Sequence, residues 1–150
     1  MQTFLPYPDF AESASVLDWR RLGNQRRETL QILAAVTHFK VVDGALRYVD
    51  RPGWQHHAAV RMWSGHASTL IAYGLAVCDE WVSRGYRDTC TGKLRLIAEV
   101  VPESGPPAWL GDSAFHHAHR SNLVRKYPGH YRPLWPDIPD DLPYVWPTAA

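Results

Sequence analysis

Apolar residues recur at every third or fourth position in two long stretches of the chain, residues 18–36 and residues 58–83. This spacing puts the apolar side chains on one face of a helix, so each stretch is predicted to be an amphipathic helix. Asp18 is in position to cap the N-terminus of the first helix. The second stretch is too long and too regular for a strand, and one continuous helix is predicted there. The apolar positions are Leu22, Leu30, Leu33 and Ala34 in the first stretch and Val60, Trp63, Leu70, Tyr73, Gly74, Val77 and Trp81 in the second.

Capping residues, turn residues and prolines mark the shorter elements. An extended segment, residues 3–8, precedes them. The predicted elements are a helix from Asp9 to Val16, a hairpin within residues 39–55 that turns at Asp43-Gly44, a helix from Lys93 to Val101 stopped by Pro102, and a last helix from Asp112 or Ser113 to about Lys126, ended by Pro128-Gly129.

The C-terminal tail has a different pattern. Prolines at positions 133, 136, 139, 143 and 147 exclude a helix there, and Trp135, Tyr144 and Trp146 are expected to hold the tail across the core as an extended strap. The predicted fold is therefore a mainly α, single compact domain over residues 1–150 with an extended Pro/Trp-rich tail.

Composition agrees with one domain, since 150 residues with 45% hydrophobic residues suffice for one core and not two. No apolar run approaches the roughly 20 residues of a membrane span, and the first residues lack the features of a signal peptide. We therefore expect a cytoplasmic monomer with no membrane partner. In that compartment Cys78 and Cys90 are expected to be reduced and to serve packing.

The charge balance limits the classes of partner. A net charge of +1 is far from the strongly basic balance of most nucleic-acid-binding domains. The basic residues are nevertheless clustered, which is compatible with a modest DNA footprint, and solvated helix faces are the alternative. One cluster consists of Arg20, Arg21, Arg26 and Arg27, and the other of Arg120, Arg125, Lys126 and Arg132.

Arg26, Arg27 and Glu28 lie together on the first long helix. Two guanidinium groups beside a carboxylate indicate either an anion-binding site or an ordinary solvated salt bridge. Spacing alone does not separate these readings.

This cluster belongs to a set of three motifs along the chain. They are Leu17-Asp18 with Leu22 and Arg27-Glu28, then Trp81 with Arg84-Gly85-Tyr86, then Gly111-Asp112 followed by a basic segment with His119-Arg120, Arg125-Lys126 and Tyr131. Together they resemble the pyrimidine-dimer DNA glycosylase family of endonuclease V type over roughly residues 1–135. The resemblance implies that Glu28 is the catalytic glutamate and that Arg27 contacts DNA. The chain departs from the family in a longer segment before Asp18, in the tail after Leu134 and in Gln2.

The chemistry of base excision explains these residue types. Cleavage of an N-glycosidic bond develops positive charge on the sugar, which a carboxylate such as that of Glu28 stabilises. An amine that attacks C1′ forms a Schiff base, after which β-elimination breaks the strand. An α-amino group has a reference pKa of about 7.7–8.0, against about 10.4 for lysine, so it is the better nucleophile near neutrality. The family uses its N-terminal amine, and here that role falls on Met1, because Gln2 is too large for the usual removal of the initiator methionine.

The expected partner is damaged double-stranded DNA, and the expected activity is excision of a damaged pyrimidine, with a pyrimidine dimer as the family's lesion, coupled to AP-lyase cleavage. Trp54 lies in a Gly-flanked loop and is a better candidate for base contact than Trp63 or Trp81, which fall on the apolar stripe. The predicted DNA-binding residues are Arg26, Arg27, Trp54, His56, His57, Arg61, His119, Arg120, Arg125 and Lys126.

Two other functions remain open at this point. One is a catalytically silent nucleic-acid-binding module of the same fold. The other is a metal-dependent hydrolase built on the histidines, since His116 and His119 share one helix face. No HExxH motif and no Cys/His ligand spacing is present, so neither a metal nor a cofactor is predicted.

Overall fold

A computed structural model describes residues 1–147. These residues form seven helices and one two-stranded antiparallel sheet, which confirms the prediction of a mainly α fold. The elements are α1 (Phe10–Val16), α2 (Trp19–Thr37), β1 (Phe39–Val42), β2 (Ala45–Tyr48), α3 (Ala58–Arg61), α4 (Ala67–Ser83), α5 (Thr91–Ala98), α6 (Ser113–Lys126) and α7 (Pro128–Tyr131).

The centre of the fold is the packing of α2 against α4. The predicted cap of α2 is confirmed, because the Asp18 side chain accepts a hydrogen bond from the Arg21 N–H. The two helices approach closely at Gly74, where a Cβ atom would lie 2.8 Å from Cγ2 of Thr29 and 3.0 Å from a methyl group of Leu94 on α5. Only glycine fits at this crossing, so the α2 face that carries the apolar stripe is fixed against α4 and α5.

The predicted hairpin is also confirmed. Strands β1 and β2 pair from Phe39 opposite Tyr48 to Val42 opposite Ala45. Asp43 and Gly44 both have positive φ angles, 52° and 77°, as a tight two-residue turn of type I′ requires.

The prediction of one helix over residues 58–83 is wrong. Helix α3 ends at Arg61 and α4 begins at Ala67, and Gly65 between them has a φ of 81°. A left-handed residue cannot continue a right-handed helix, and glycine adopts that conformation without steric cost. The connection holds Trp63, which is fully buried and whose indole N–H donates to Oγ1 of Thr3 at 3.1 Å.

The N-terminal segment, residues 2–6, runs through the interior. On one side its backbone contacts two histidines of α6. The N–H of Leu5 donates to Nδ1 of His119 at 3.0 Å, and Nδ1 of His116 lies 2.8 Å from the carbonyl oxygen of Leu5. These bonds fix the direction in which the N-terminus enters the molecule.

The tail follows α7 without further helix in the described residues, as predicted. Trp135 is buried, and Leu142 is tied to α6 through its N–H, which donates to Oγ of Ser121, and its carbonyl oxygen, which accepts from Nδ2 of Asn122, each at 3.1 Å. We refer to residues 141–147 as the C-terminal strap. Within the described residues, no helix combines the length and the apolar character that a membrane crossing needs.

Candidate active site

The carboxylate of Glu28 lies against the N-terminal segment. Its Oε2 accepts a hydrogen bond from the main-chain N–H of Gln2 at 3.3 Å and another from Nε2 of Gln25 at 3.0 Å. Met1 is half-buried and is one peptide unit from this contact, about 3.8 Å between Cα atoms. The fold therefore brings the first residue of the chain to the catalytic carboxylate that the resemblance implies.

Gln25 organises this region from one turn earlier on α2. Its buried amide donates to the carbonyl oxygen of Gln2 at 2.8 Å and accepts from the N–H of Phe4 at 3.0 Å. The hydroxyl of Tyr73 on α4 donates to the same Gln25 oxygen at 2.5 Å. Complete burial, and then the negative charge of Glu28, raise the pKa of Tyr73 well above its usual value, so this hydroxyl stays protonated and remains a donor.

His57 caps α3 and lies at the edge of the same region. Its Nδ1 accepts from the N–H of Ala59 at 3.0 Å. Partial burial lowers the pKa of His57, the positive charge of the amino terminus lowers it further, and Glu28 acts in the opposite direction. The imidazole is therefore neutral at pH 7 and lies within the electrostatic range of both the amine and the carboxylate.

A basic cleft of about 570 Å³ opens between α2, the end of α4 and the α6–α7 corner. Its carboxylate, that of Asp18, is already occupied by hydrogen bonds from Tyr131 and Arg21. The cleft therefore offers positive charge and aromatic faces, the combination that binds a nucleic-acid backbone. It is lined by Asp18, Trp19, Arg20, Arg21, Arg84, Tyr86, Lys126, Tyr127 and His130.

Most of these cleft residues were absent from the predicted site. The available signal was the Arg84-Gly85-Tyr86 motif, whose arginine and tyrosine line the cleft, together with Arg20 and Arg21 in the first basic cluster. Tyr127 and His130, on either side of Pro128-Gly129, carried no signal beyond their aromatic and basic character.

Adjacent arginines on α2 have different environments. Arg27 is exposed, donates to Asn24 at 3.1 Å and lines a second cleft of about 450 Å³ that shares Trp19 and Arg20 with the basic cleft. Arg26 is held in an ion pair with Asp88 at 2.7 Å.

The Arg26 guanidinium also lies over the ring of Trp81, 4.4 Å from its centroid. Burial alone would raise the pKa of Asp88, but hydrogen bonds from Thr91 and Arg26 hold it far below its usual value. Arg26 also lines the second cleft beside Arg27, so its contact with DNA stays a prediction, although its charge is engaged in an ion pair.

Three predicted DNA contacts on α6, namely His119, Arg120 and Arg125, bond to other parts of the chain. His119 is 1% exposed, so the prediction that it contacts DNA is wrong for this conformation of the chain. Arg120 donates to the carbonyl oxygen of Pro6 at 2.6 Å, and Arg125 donates to the carbonyl oxygens of Asp140 and Leu142. These two arginines hold the N-terminal segment and the tail in place.

Lys126 is the α6 residue that lines the basic cleft. Its amine lies over the rings of Phe4 and Tyr144, 5.3 and 5.6 Å from the centroids. Although much of the side chain meets solvent, partial burial of the amine, and then the charges of Arg21 and Arg125, lower the pKa of Lys126, while Glu28 raises it. Lys126 is thus a second amine with a lowered pKa, and it lies against Phe4 of the N-terminal segment.

The loop before α3 presents its predicted contact residues to solvent. Trp54 is 63% exposed and has a φ of 67°, and His56 and Arg61 are exposed on either side of His57. Their positions are compatible with contact to a large ligand.

The histidines do not form a metal centre in the part of the chain that the structure describes, where no group of three or more His, Cys, Asp or Glu side chains is arranged around a common point. His116 and His119 instead bind the backbone of Leu5. Cys78 and Cys90 are free and buried, and burial, followed by the charge of Asp88, raises the pKa of Cys78 to about 12, as expected of a packing thiol.

Comparison with known families agrees with this site. Neither a curated protein nor a solved structure matches the chain. A family model, pyrimidine dimer DNA glycosylase, matches residues 1–94, a segment that includes Glu28, the N-terminal segment, Arg27 and the Trp54–His57 loop and ends before α6 and the strap. Because the match covers more than half of the 150 residues, the chain belongs to the pyrimidine dimer DNA glycosylase family.

Proposed function

We propose that this protein is a DNA repair glycosylase with AP-lyase activity, which excises a damaged pyrimidine from double-stranded DNA through a Schiff base on the amino group of Met1. The observation that supports it most is the hydrogen bond from the Gln2 N–H to the carboxylate of Glu28, which holds the first residue beside an acidic side chain. The proposed acting species is a monomer.

The reaction begins with attack by the lone pair of the Met1 nitrogen on C1′ of the damaged nucleotide. The C1′–N bond to the base breaks, and its electron pair and a proton leave with the base. The nitrogen lone pair then breaks the C1′–O4′ bond, whose electron pair stays on O4′ and takes up a proton from solvent, and a protonated imine forms between C1′ and the Met1 nitrogen. Loss of a proton from C2′ then expels the 3′ phosphate by breaking the C3′–O bond.

Glu28 contributes in two ways. Its negative charge is fixed next to the developing positive charge on the sugar, which lowers the energy of the transition state. Its bond to Gln2, reinforced by Gln25, also orients the segment that carries the amine, so the nucleophile is positioned before the DNA arrives.

Positive residues around the site supply the DNA contacts. Lys126 lines the basic cleft, and Arg20, Arg21 and Arg27 extend the positive surface along α2. This arrangement concentrates positive charge where phosphates approach, although the whole chain is nearly neutral.

Borohydride trapping on duplex DNA with one abasic site tests the proposal. The reduced adduct should map by mass spectrometry to the peptide that begins with Met1. An adduct on Lys126 would leave the lyase function intact but would transfer the nucleophile to that side chain, whose lowered pKa makes it the competing amine.

Extension of the N-terminus by an uncleaved tag separates the remaining outcomes. The tag should abolish trapping and spare DNA binding, because it converts the Met1 amine into an amide. Wild-type protein that binds DNA with steep salt dependence but gives no adduct would identify the chain as a catalytically silent DNA-binding member of the family.

A further inference from the structure

The C-terminal strap reaches the candidate active site through Tyr144. Beyond the bonds at Leu142, the Tyr144 ring packs edge-on against His119 at 5.4 Å between centroids, and its hydroxyl lies beside the side chain of Gln2. Among the described residues, neither the Tyr144 hydroxyl nor the buried Nε2 of Gln2 has a hydrogen-bond partner. The strap is therefore docked on the segment that carries the amine, at a place where buried polar groups are not satisfied.

Docking of Tyr144 places Trp146 next to the loop before α3. The Trp146 ring lies edge-on to His57 at 6.2 Å between centroids, and the Trp54 ring lies edge-on to the same imidazole at 6.0 Å. Trp54 and Trp146 are 63% and 37% exposed, so both indoles offer surface to solvent beside a histidine that responds to the amino terminus and to Glu28.

We propose that Trp54, His57 and Trp146 form a stacking subsite for an unpaired nucleobase, and that the C-terminal strap completes the active site by supplying Trp146. This inference rests on the proposed function and extends it to a part of the chain outside the matched residues 1–94. It commits to a nucleobase because exposed indoles bind the flat faces of bases and tolerate any base identity.

The position of the subsite supports that occupant. Chemistry at C1′ requires local unpairing of the duplex, and a base released from its stack needs an aromatic surface close to the reacting sugar. Tyr144, two residues before Trp146, packs on His119, whose Nδ1 accepts from the Leu5 N–H, so the strap brings the subsite near the N-terminal segment that carries the amine. Val145, between Tyr144 and Trp146 in the extended strap, instead lines an apolar cleft with Ala114 and Leu142.

The test compares the affinity for a duplex with one unpaired base opposite an unreactive tetrahydrofuran abasic analogue and the affinity for a fully paired duplex of the same sequence. Wild-type protein should prefer the first. Trp146→Ala and Trp54→Ala should each reduce that preference at least about fivefold, the scale of one lost base–aromatic stack, without changing affinity for the paired duplex. Trp146→Phe should retain most of the preference. Val145→Ala is the matched control on the other face of the strap, and circular dichroism checks that each variant is folded.

An unchanged preference in Trp146→Ala, or an equal loss in Val145→Ala, would overturn the stacking subsite. Absence of any preference in the wild type would do the same. Failure of the proposed function gives a different result, namely no borohydride adduct in a protein whose preference for the unpaired base still depends on Trp146.

Discussion

The main-chain N–H of Gln2 donates a hydrogen bond to Oε2 of Glu28 at 3.3 Å, between residues 26 positions apart in the chain. Because Gln25 binds both the Gln2 carbonyl oxygen and the same Glu28 oxygen, the contact belongs to a closed network and not to a single flexible pair. The glutamate that we propose acts in catalysis and the first residue of the chain are thus positioned by the same helix, α2.

Replacement of Glu28 by glutamine should keep the fold and the binding of DNA while slowing base release at least about 100-fold, the scale of removing one positioned charge. Glutamine keeps an oxygen that accepts from the Gln2 N–H. A slower base release would therefore reflect the lost negative charge and not misfolding. Single-turnover assays on damaged duplex measure it, with Glu103→Gln at an exposed loop position as the control. Turnover near the wild-type rate would reduce Glu28 to a structural residue.

Gln25→Ala should destabilise the protein. The substitution removes the partners of the Phe4 N–H and the Gln2 carbonyl oxygen, and each buried group left unsatisfied costs about 1–3 kcal/mol. The Tyr73 hydroxyl keeps the carbonyl oxygen of Phe4 as an acceptor. We expect a loss of about 3 kcal/mol or more in the free energy of unfolding, measured by urea denaturation. Gln31→Ala, at an exposed position of the same helix, should change stability by less than about 0.5 kcal/mol.

The network also shows what the sequence could and could not reveal. Capping by Asp18 and the turn at Asp43-Gly44 depend on neighbouring residues, so local patterns predicted them correctly. The break at Gly65 was missed although glycine is itself a helix-breaking signal, because the prediction followed the apolar spacing on both sides of it. The burial of His119 was missed because its hydrogen-bond partner, the backbone of Leu5, is 114 positions away in the chain.

Arg26 and Arg27 are the clearest example of such a difference. Both are predicted to contact DNA, but Arg26 pairs with Asp88 and Arg27 is exposed. Arg26→Ala should leave Asp88 without its cationic partner and cost about 3 kcal/mol of stability, the lower end for breaking a buried ion pair. Arg27→Ala should change stability by less than about 0.5 kcal/mol. Thermal and urea denaturation of the two variants measure the difference, and equal losses would contradict the assignment.

DNA binding should separate the two sides of the molecule. Arg20→Ala and Arg27→Ala, at the basic clefts, should each flatten the slope of log affinity against log salt concentration by about one unit. Arg95→Ala, exposed on α5, is the control and should leave the slope unchanged. Fluorescence anisotropy with a duplex at several salt concentrations measures the slopes. If Arg20→Ala and Arg27→Ala give the same slope as Arg95→Ala and the wild type, DNA binds elsewhere on the surface.

Stability should fall as the pH is lowered below about 6.5, and His119 should account for part of the fall. Burial, and then the charges of His116 and Lys126, lower the pKa of His119 to about 3 in the folded chain, against a reference of about 6.5 in the unfolded chain. The unfolded state therefore binds the proton first. The stabilisation is complete above pH 6.5 and is lost as the pH falls towards 3, by about 1.4 kcal/mol per pH unit for each such histidine.

His119→Asn tests this assignment, because the asparagine oxygen replaces Nδ1 as the acceptor for the Leu5 N–H and cannot take up a proton in this range. Urea denaturation from pH 7 to pH 5 should show a slope smaller by nearly one proton in the variant than in the wild type. Asp88 does not interfere, since its lowered pKa affects stability only as the pH approaches its reference value near 3.8. His56→Asn, at an exposed position, should keep the wild-type slope. A wild-type slope in His119→Asn would show that the acid sensitivity comes from other groups, with His116 as the next to replace because burial also lowers its pKa.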